Sequence, residues 1–472
     1  MMKQYNIRST CTRWFETTAT HWISRRLSTC FSTIESGARE QSKVSETDGV
    51  PNLGGEHIGK DGEIIPKGMR YVSKEFYNTM RSGKIKIDDL LLVKDGATIG
   101  KIVCVKKMPY PDCSINEHVY ILRTENNVCS QYIYYLFRSI PIQDQIWLNV
   151  RGSAQPGLTQ QFLKSIAIYL PLIEEQNRIA RYLDYKNHLI NKYIRIKKKQ
   201  IELLKELKQV VINDAVTGKI DVRTGKTYPK YKDSGIDWMG MIPEEWEVNR
   251  LKRISSIRYG LGQPPKEKET GLPLIRATNV KSGNIVANDL LLVDSADVPL
   301  SRDAFLKKDE IIVVRSGALT GDSAIIPDKY VGAVAGYDMV VSVYESCPQF
   351  IAYVLLSNYL LQDQLYLLKS RAAQPHLNSG ELGGLLILTP TTEIQHIIVT
   401  YIDQLLKKID HHIQTINAEI SLILEFRTTL ISDVVTGKLD VRSIEIPDFE
   451  EEPEDIEDGI IDDILEEVGD AD

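Results

Sequence analysis

The sequence lacks the features that mark secreted, membrane and zinc-binding proteins. Its six cysteines form no C-x-x-C pair, so neither a zinc site nor a disulfide framework is predicted. No apolar run is long enough to cross a bilayer, and residues 1–31 contain scattered Arg and Thr instead of the continuous apolar core of a signal peptide. We therefore expect a soluble, cytoplasmic protein that does not enter a membrane.

Basic residues are missing from the end of the chain. Residues 443–472 contain fifteen Asp or Glu and no Lys or Arg, whereas residues 1–442 carry 57 basic and 49 acidic residues. The net charge of −7 therefore conceals a body with a net charge of +8. A block of like charge is typical of a disordered tail. A solubilising role is the simpler interpretation, and competition with nucleic acid for the basic body, or docking on a partner, are the alternatives.

Proline and glycine are absent from two stretches of 42 residues, 174–215 and 393–434. Apolar residues recur there at heptad spacing, as at Ile402, Ile409 and Ile416, and Phe426 lies on the companion heptad position. This spacing predicts two long helices that pack as an antiparallel coiled coil. Each helix would be about 60 Å long. Antiparallel packing would relate the flanking domains by an approximate two-fold axis and place them at opposite ends.

Both stretches belong to an internal repeat. They end in nearly the same octet, VTGKIDVR at 216–223 and VTGKLDVR at 435–442, and the glycine of each octet is predicted to cap its helix. The offset of 219 residues continues without a gap back to Gln155 and Gln374, with 25 identities in 69 aligned positions. A period this long indicates two copies of a whole domain rather than a solenoid.

Each copy also has a mixed globular part before its long helix. A strand-like run at 90–93 or 311–314 precedes a Gly-x-x-x-Gly turn, and an aromatic helix, predicted to be core, follows. An Ala-Gln-Pro turn then leads to a short strand that ends at Pro171 or Pro390. The predicted fold class is α+β, with two tandem globular domains that are each followed by a long helix.

Six side chains in matched positions are candidates for contact with a nucleic acid, a partner that the basic body of the chain favours. Lys94 and Arg315 follow a buried strand, where a cation can reach a phosphate or a guanine, although a solvated turn residue is the alternative. The glutamines of the two Ala-Gln-Pro turns can pair with adenine or pack against the following proline. The candidates are Lys94, Arg151, Gln155, Arg315, Arg371 and Gln374. The basic run at 195–199 is either a further contact with the phosphates of a nucleic acid or a solvated helix face.

Catalytic motifs are missing as well. The glycine-rich segment at 96–100 has the wrong spacing for a phosphate-binding loop, and no Ser or Thr follows Lys101. The eight histidines show no metal-ligand spacing, and no Asn/Asp-Pro-Pro-aromatic motif of amino-methyltransferases occurs. We therefore expect no catalytic residues, no metal and no cofactor in this chain.

Over essentially its whole length the chain resembles the DNA specificity subunits of Type I restriction–modification systems. The resemblance rests on PLIEEQ at 171–176, PTTEIQ at 390–395, the paired VTGK endings, and IPEEW at 242–246. The first copy departs from the pattern, because it has TTATHW at 17–22 where the second has MIPEEW.

The resemblance implies a non-catalytic subunit that binds an asymmetric, bipartite target in double-stranded DNA. Each target recognition domain would read one half-site, and the paired helices would set the gap and dock two methyltransferase subunits. Restriction and translocase subunits would join through the complex. A helix of about 60 Å matches about 18 base pairs of duplex.

The resemblance also divides the chain. The implied segments are recognition domains at 14–172 and 244–390, helical spacers at 173–223 and 391–442, a linker at 224–243, and the disordered acidic tail at 443–472. The alternative function is a coiled-coil interaction scaffold whose globular domains bind protein, which predicts neither a split target nor a strong salt dependence.

Overall fold

The computed structural model describes residues 5–12, 14–40, 44, 49–150, 157–263, 265–366 and 376–449. The chain forms two compact units, Met1–Ile196 with Ala418–Asp472, and Lys197–Asn417, which are called unit 1 and unit 2 below. Each unit contains a globular α+β part together with segments of both long helices. Within the described residues, no helix is both long and apolar enough to cross a membrane.

The elements that begin in unit 1 come first in the chain. Its strands are β1 (Ile7–Thr12), β2 (Phe15–Ala19), β3 (Ile23–Arg26), β4 (Phe31–Ser36), β5 (Gly49–Leu53), β6 (Arg70–Ser73), β7 (Leu90–Val93), β8 (Ile102–Cys104), β9 (Ser114–Ile115), β10 (Val119–Thr124) and β11 (Ala167–Leu170). Its helices are α1 (Lys74–Thr79), α2 (Ser130–Arg138), α3 (Ile140–Asn149), α4 (Phe162–Ser165) and the first long helix, α5 (Ile173–Val216), which ends in unit 2.

The remaining elements begin in unit 2. Its strands are β12 (Tyr231–Asp233), β13 (Met241–Pro243), β14 (Glu247–Arg250), β15 (Ser255–Tyr259), β16 (Glu267–Ile275), β17 (Val280–Lys281), β18 (Asn284–Ile285), β19 (Leu291–Val293), β20 (Ile311–Val313), β21 (Ser323–Ile325), β22 (Val334–Ala335), β23 (Met339–Val343) and β24 (Leu386–Thr389). Its helices are α6 (Leu251–Ile254), α7 (Pro348–Leu355), α8 (Asn358–Leu360), α9 (Ser379–Gly384) and the second long helix, α10 (Thr392–Val435), which ends in unit 1.

The sheets of unit 1 recur in unit 2 with the same strand order. An antiparallel sheet β4-β10-β7-β8 corresponds to β15-β23-β20-β21, and the pair β3-β11 corresponds to β14-β24. A three-stranded sheet, β6-β5-β9 or β19-β16-β22, contains one parallel pair in each unit. The structure therefore confirms the predicted duplication, although the two globular parts share little sequence.

Unbroken apolar runs explain the central strands. All four residues of β7 are fully buried, as expected for a strand covered on both faces. The aromatic helices α2 and α7 supply the core beside them: Tyr132, Tyr135 and Phe350 are buried, in agreement with the prediction. Tyr353 is only half-buried, and its hydroxyl hydrogen-bonds to Asp403 on α10.

A buried glutamine explains why both long helices begin with a Pro-x-x-x-x-Gln motif. The Gln176 amide donates to the carbonyl of Pro171 at 2.9 Å, and its oxygen accepts the N–H of Cys129, the N-cap of α2, at 2.9 Å. Gln395 makes the same two bonds to Pro390 and to Cys347, the N-cap of α7, at 2.9 and 2.7 Å. Each glutamine therefore fixes the first turn of a long helix to the aromatic helix of its own copy.

Each long helix ends at the predicted glycine, and the end is buried against a tryptophan. Gly218 and Gly437 have φ values of +71° and +75°, the left-handed geometry of a helix C-cap. A Cβ atom at Gly218 would lie 2.4 Å from Pro243 and 3.4 Å from Trp246, and one at Gly437 would lie 3.3 Å from Trp22. Two independent constraints therefore favour glycine at each position: the left-handed backbone and the lack of space beside the tryptophan ring.

The heptad positions of the long helices are only partly as predicted. Ile402, Ile409 and Ile416 are buried, but Phe426 is 52% exposed. The buried position beside Phe426 belongs to Arg427, whose guanidinium pairs with Asp61 and donates to Asn191 Oδ1 at 3.2 Å. Burial lowers the pKa of the Arg427 guanidinium, and the neighbouring Asp61 carboxylate opposes that shift.

This buried ion pair gives a prediction for the stability of unit 1. Arg427→Ala removes a buried guanidinium from Asp61, which keeps only its ion pair with Arg138, so the free energy of unfolding should fall by about 2 kcal/mol. The matched control is Lys208→Ala, 219 residues earlier, because its pair with Asp410 is more exposed and should contribute less than about 1 kcal/mol. Urea unfolding measures both, and equal losses would contradict the prediction.

Candidate nucleic-acid interface

Arg315 directly follows the buried strand β20 and is held in place by its own backbone. Its N–H donates to Asp338 Oδ1 at 3.1 Å, and its carbonyl accepts the N–H of Leu377 at 2.8 Å. The side chain lies between two tyrosines, with the guanidinium carbon 4.5 Å from the ring centroid of Tyr259 and 4.3 Å from that of Tyr337. Stacking on both faces fixes the plane of the guanidinium.

The remaining neighbours of Arg315 define a small polar cluster. Its Nη2 atom lies 2.9 Å from Nε2 of His376, the first described residue after the 371–375 turn. Ser379 also belongs to the cluster, because its N–H donates to the Tyr259 hydroxyl at 2.8 Å. The hydrogen bonds from the Ser379 side chain and backbone lower the pKa of the Tyr259 phenol.

Asp338 is the buried acid of this cluster. Its side chain accepts the Arg315 N–H through Oδ1, while Oδ2 and the Arg315 Nε atom have no hydrogen-bond partner among the described residues. Burial raises the pKa of the Asp338 carboxyl to about 6, and the hydrogen bond and positive charge of Arg315 work against that rise. Above that pKa the site therefore holds a buried carboxylate behind the half-buried Arg315 side chain.

Lys94 occupies the equivalent position in unit 1 but has different neighbours. Its Nζ atom lies 3.2 Å from Ser36 Oγ and 4.9 Å from the ring centroid of Tyr120. Nearby, His118 Nδ1 lies 3.1 Å from Asp95 Oδ2, a pair whose side chains are 40% and 29% exposed. The first copy thus has a point charge beside a His–Asp pair, where the second has a stacked guanidinium.

The residues that directly follow the two predicted Ala-Gln-Pro turns pair with the backbone next to these cations. Asp95 forms a β-bridge with Gly157, and Ser316 forms the corresponding bridge with His376. Gly157 and His376 are the first described residues after the turns at 151–156 and 371–375. The four other predicted contact residues lie outside the described residues: Arg151, Gln155, Arg371 and Gln374.

Sequence reasoning did not single out the side chains that surround the cations. Tyr259 and Tyr337 lie next to Gly260 and Gly336, so the ends of two neighbouring strands carried a signal that pattern reading overlooked. His376 follows the repeated Gln-Pro pair in the second copy, but glycine occupies the matching position in the first copy. Asp338 carried no sequence signal, since its importance depends on burial.

The buried carboxylate predicts a pH-dependent stability. Because folding raises the Asp338 pKa from 3.8 to about 6, its favourable contribution is complete below pH 3.8 and is lost as the pH rises through 6, a change of about 3 kcal/mol. Asp338→Asn keeps an oxygen for the Arg315 N–H but carries no charge. The variant should therefore be more stable than the parent at pH 8 and equal to it at pH 4 in urea unfolding; the same difference at both pH values would refute this.

Comparison with known proteins identifies a family to which this chain is similar. The model of the Type I restriction modification DNA specificity domain matches residues 49–206 and 243–422, which include both candidate cations and most of each long helix. The MjaVIII specificity subunit of a Type I restriction enzyme from Methanocaldococcus jannaschii is 25% identical over 84% of this chain and 87% of its own length. The EcoBI specificity subunit from Escherichia coli is 23% identical over 80% and 81%.

A solved structure shares the fold. A chain from a study of complex assembly and conformational transition of the Type I R-M system matches with a TM-score of 0.64 at 16% identity, and the match covers 89% of this chain and 99% of that chain. The domain match extends over well over half of the sequence and occurs twice, once for each copy of the repeat. The chain therefore belongs to the family of Type I restriction–modification specificity subunits.

Proposed function

We propose that this chain reads DNA sequence for a Type I restriction–modification complex by binding an asymmetric, bipartite target in double-stranded DNA. The observation that carries the proposal is the pair of equivalent sites at Lys94 and Arg315, which share a backbone position and differ in chemistry. Each recognition domain would read one half-site. Since the surroundings of the two cations differ, the half-sites should differ in sequence.

Arg315 is suited to reading a base edge. A guanidinium can donate two parallel hydrogen bonds to O6 and N7 of guanine in the major groove, whereas an ammonium acts as a point charge on phosphates or bases. Tyr259 and Tyr337 fix the plane of the Arg315 side chain, so little conformational entropy is lost when it binds. Lys94, without such stacking on two faces, is assigned the weaker role of positioning the other half-site.

We propose further that the two long helices pair as an antiparallel coiled coil that sets the gap between half-sites. In unit 1, Arg427 donates to Asn191 and the Tyr193 hydroxyl donates to Glu419, both at 3.2 Å. In unit 2, Lys208 pairs with Asp410. In these contacts, residues later in α5 contact residues earlier in α10, which supports antiparallel packing.

Two repeat-related apolar patches are proposed to dock two methyltransferase subunits. Leu203 and Leu207 on α5 are 54% and 44% exposed, and the residues 219 positions later, Leu422 and Phe426 on α10, are 66% and 52% exposed. Each pair is spaced four residues apart on one helix face. Duplicated apolar patches on two helices suit two copies of one partner, bound through an apolar helix face. The restriction and translocase subunits would then associate through that complex.

The role of Arg315 can be tested by substitution in the assembled methyltransferase. Arg315→Ala should weaken binding to the mapped target by at least about tenfold and relax the base preference in one half-site only. Arg315→Lys should keep most of the affinity but lose the base preference. Lys329→Ala, which removes an exposed cation of unit 2, serves as the control. Methylated-base mapping and salt-dependent binding measure both effects; unchanged affinity and preference for Arg315→Ala would remove the residue from the site.

The docking patches have their own test. Leu203→Glu combined with Leu207→Glu should weaken association with the methyltransferase subunit by about tenfold or more, because charge on an apolar contact must be desolvated. Leu300→Glu is the control, since Leu300 is 84% exposed in the same unit. Mass photometry of mixed subunits should show complexes with one methyltransferase subunit instead of two. An unaltered stoichiometry and affinity would exclude this patch.

The alternative, an interaction scaffold whose globular domains bind protein, makes opposite predictions. Binding through phosphates falls steeply with salt, since each neutralised phosphate releases counterions. A scaffold would show no such slope and no methylation motif. Mapping the methylated bases therefore decides between the two functions, and a continuous or symmetric motif would also contradict the bipartite proposal.

A further inference from the structure

The segment after the second octet runs along the first long helix. The Arg178 guanidinium donates from Nε to the carbonyl of Val441 at 3.2 Å and from Nη2 to that of Ile444 at 2.6 Å. Further on, the ring of Phe449 lies 5.5 Å from that of Tyr185 and 5.6 Å from that of His188. As the segment advances from 441 to 449, its contacts on α5 advance from 178 to 188, so the two run in the same direction.

An exposed apolar face begins on α5 where these contacts end. Leu189, Tyr193 and Ile196 are 40%, 40% and 50% exposed, and their spacing of four and three residues continues the face that starts at Tyr185. We call these three residues the 189–196 face. Their counterparts 219 positions later are Lys408, His412 and Thr415, none of which is apolar. The face is therefore unique to the first copy, and the duplicated methyltransferase patches do not account for it.

The sequence beyond Phe449 is complementary to this face. Residues 450–472 contain thirteen acidic residues and no basic ones, and their apolar residues recur at intervals that place them on one side of a helix. These apolar residues are Ile456, Ile460, Ile461, Ile464, Leu465 and Val468. Five basic residues lie in and beside the 189–196 face: Lys192, Arg195, Lys197, Lys198 and Lys199. An acidic, amphipathic segment thus follows directly on an apolar face that is flanked by cations.

We propose that residues 456–468 bind the 189–196 face of the same molecule through these apolar side chains, with the acidic residues beside the flanking cations. The seven steps from Phe449 to Ile456 can span up to about 23 Å, whereas His188 and Ile196 are about 12 Å apart along α5. Because Phe449 holds the start of the segment at His188, the effective concentration of the tail at the face is high.

Docking also has an electrostatic consequence, which rests on the proposed DNA-binding function. Acidic residues placed over Lys192 and Arg195 screen cations that would otherwise attract any duplex, irrespective of sequence. The bound tail therefore suppresses non-specific binding and leaves the two recognition sites to select the target.

Carbodiimide cross-linking of the full chain tests the docking without DNA or any partner. Tail carboxylates should link to Lys192 within one molecule, and Ile460→Ser with Ile464→Ser should reduce that yield by about tenfold without changing any charge. Leu189→Ser with Ile196→Ser should have the same effect, whereas Leu300→Ser, at an 84% exposed site, should have none. Yields that survive both double substitutions would mean a contact through charge alone and would overturn the proposal, as would the absence of any link.

Two further measurements separate the remaining outcomes. Mixed light and heavy isotope-labelled chains should give few hybrid links, and predominantly hybrid links would show that the tail binds a second copy instead. Ending the chain after Phe449 should raise affinity for a random duplex about tenfold at low salt. If the links form but this affinity does not change, the screening role is wrong and the docking stands; if no variant binds DNA at all, the proposed function fails while the cross-linking result is unaffected.

Discussion

The closure of each long helix onto a tryptophan is the contact on which the rest of the structure depends. Gly218 lies against Trp246 and Pro243, and Gly437 lies against Trp22, so a helix end is part of a globular core in both units. Any other residue at either glycine would have to adopt the left-handed backbone conformation, and its side chain would occupy space that the indole ring fills. The near-identity of the two octets follows from this demand. The same Asp–Arg pair, Asp221–Arg223 or Asp440–Arg442, closes each one.

The glutamine of the Pro-x-x-x-x-Gln motif attaches the start of each long helix to a globular part, and the glycine attaches its end. Both groups connect a long helix to the globular part of a unit by contacts that tolerate little change. The residues around Lys94 and Arg315 are under no such constraint, because a surface cation can be surrounded by a His–Asp pair or by two tyrosines without altering the sheets behind it. Repetition in the scaffold and divergence at the surface therefore have separate physical causes.

The sequence predicted the parts of the structure that depend on periodicity. The two long helices, their glycine ends, the buried strands after which Lys94 and Arg315 lie, and the core role of the aromatic helices all follow from spacing. The sequence did not predict contacts between distant segments. Nothing in the heptad pattern indicated that Arg427 would be buried and Phe426 exposed, because the reason is Asp61, 366 residues away. The stacking of Arg315 on Tyr259 and Tyr337 was missed for the same reason: three strands must assemble before the residues meet.

The burial of the second helix end in unit 1 also governs the order in which the chain can fold during synthesis. Leu430, Ile431, Val434, Val435 and Val441 belong to the same hydrophobic core as Trp22, Leu27 and Tyr132. The globular part of unit 1, although translated first, cannot complete that core until almost the whole polypeptide has left the ribosome. The apolar surface that these residues cover therefore stays uncovered for most of the synthesis of the chain. A product truncated before Leu430 would leave this apolar surface exposed permanently.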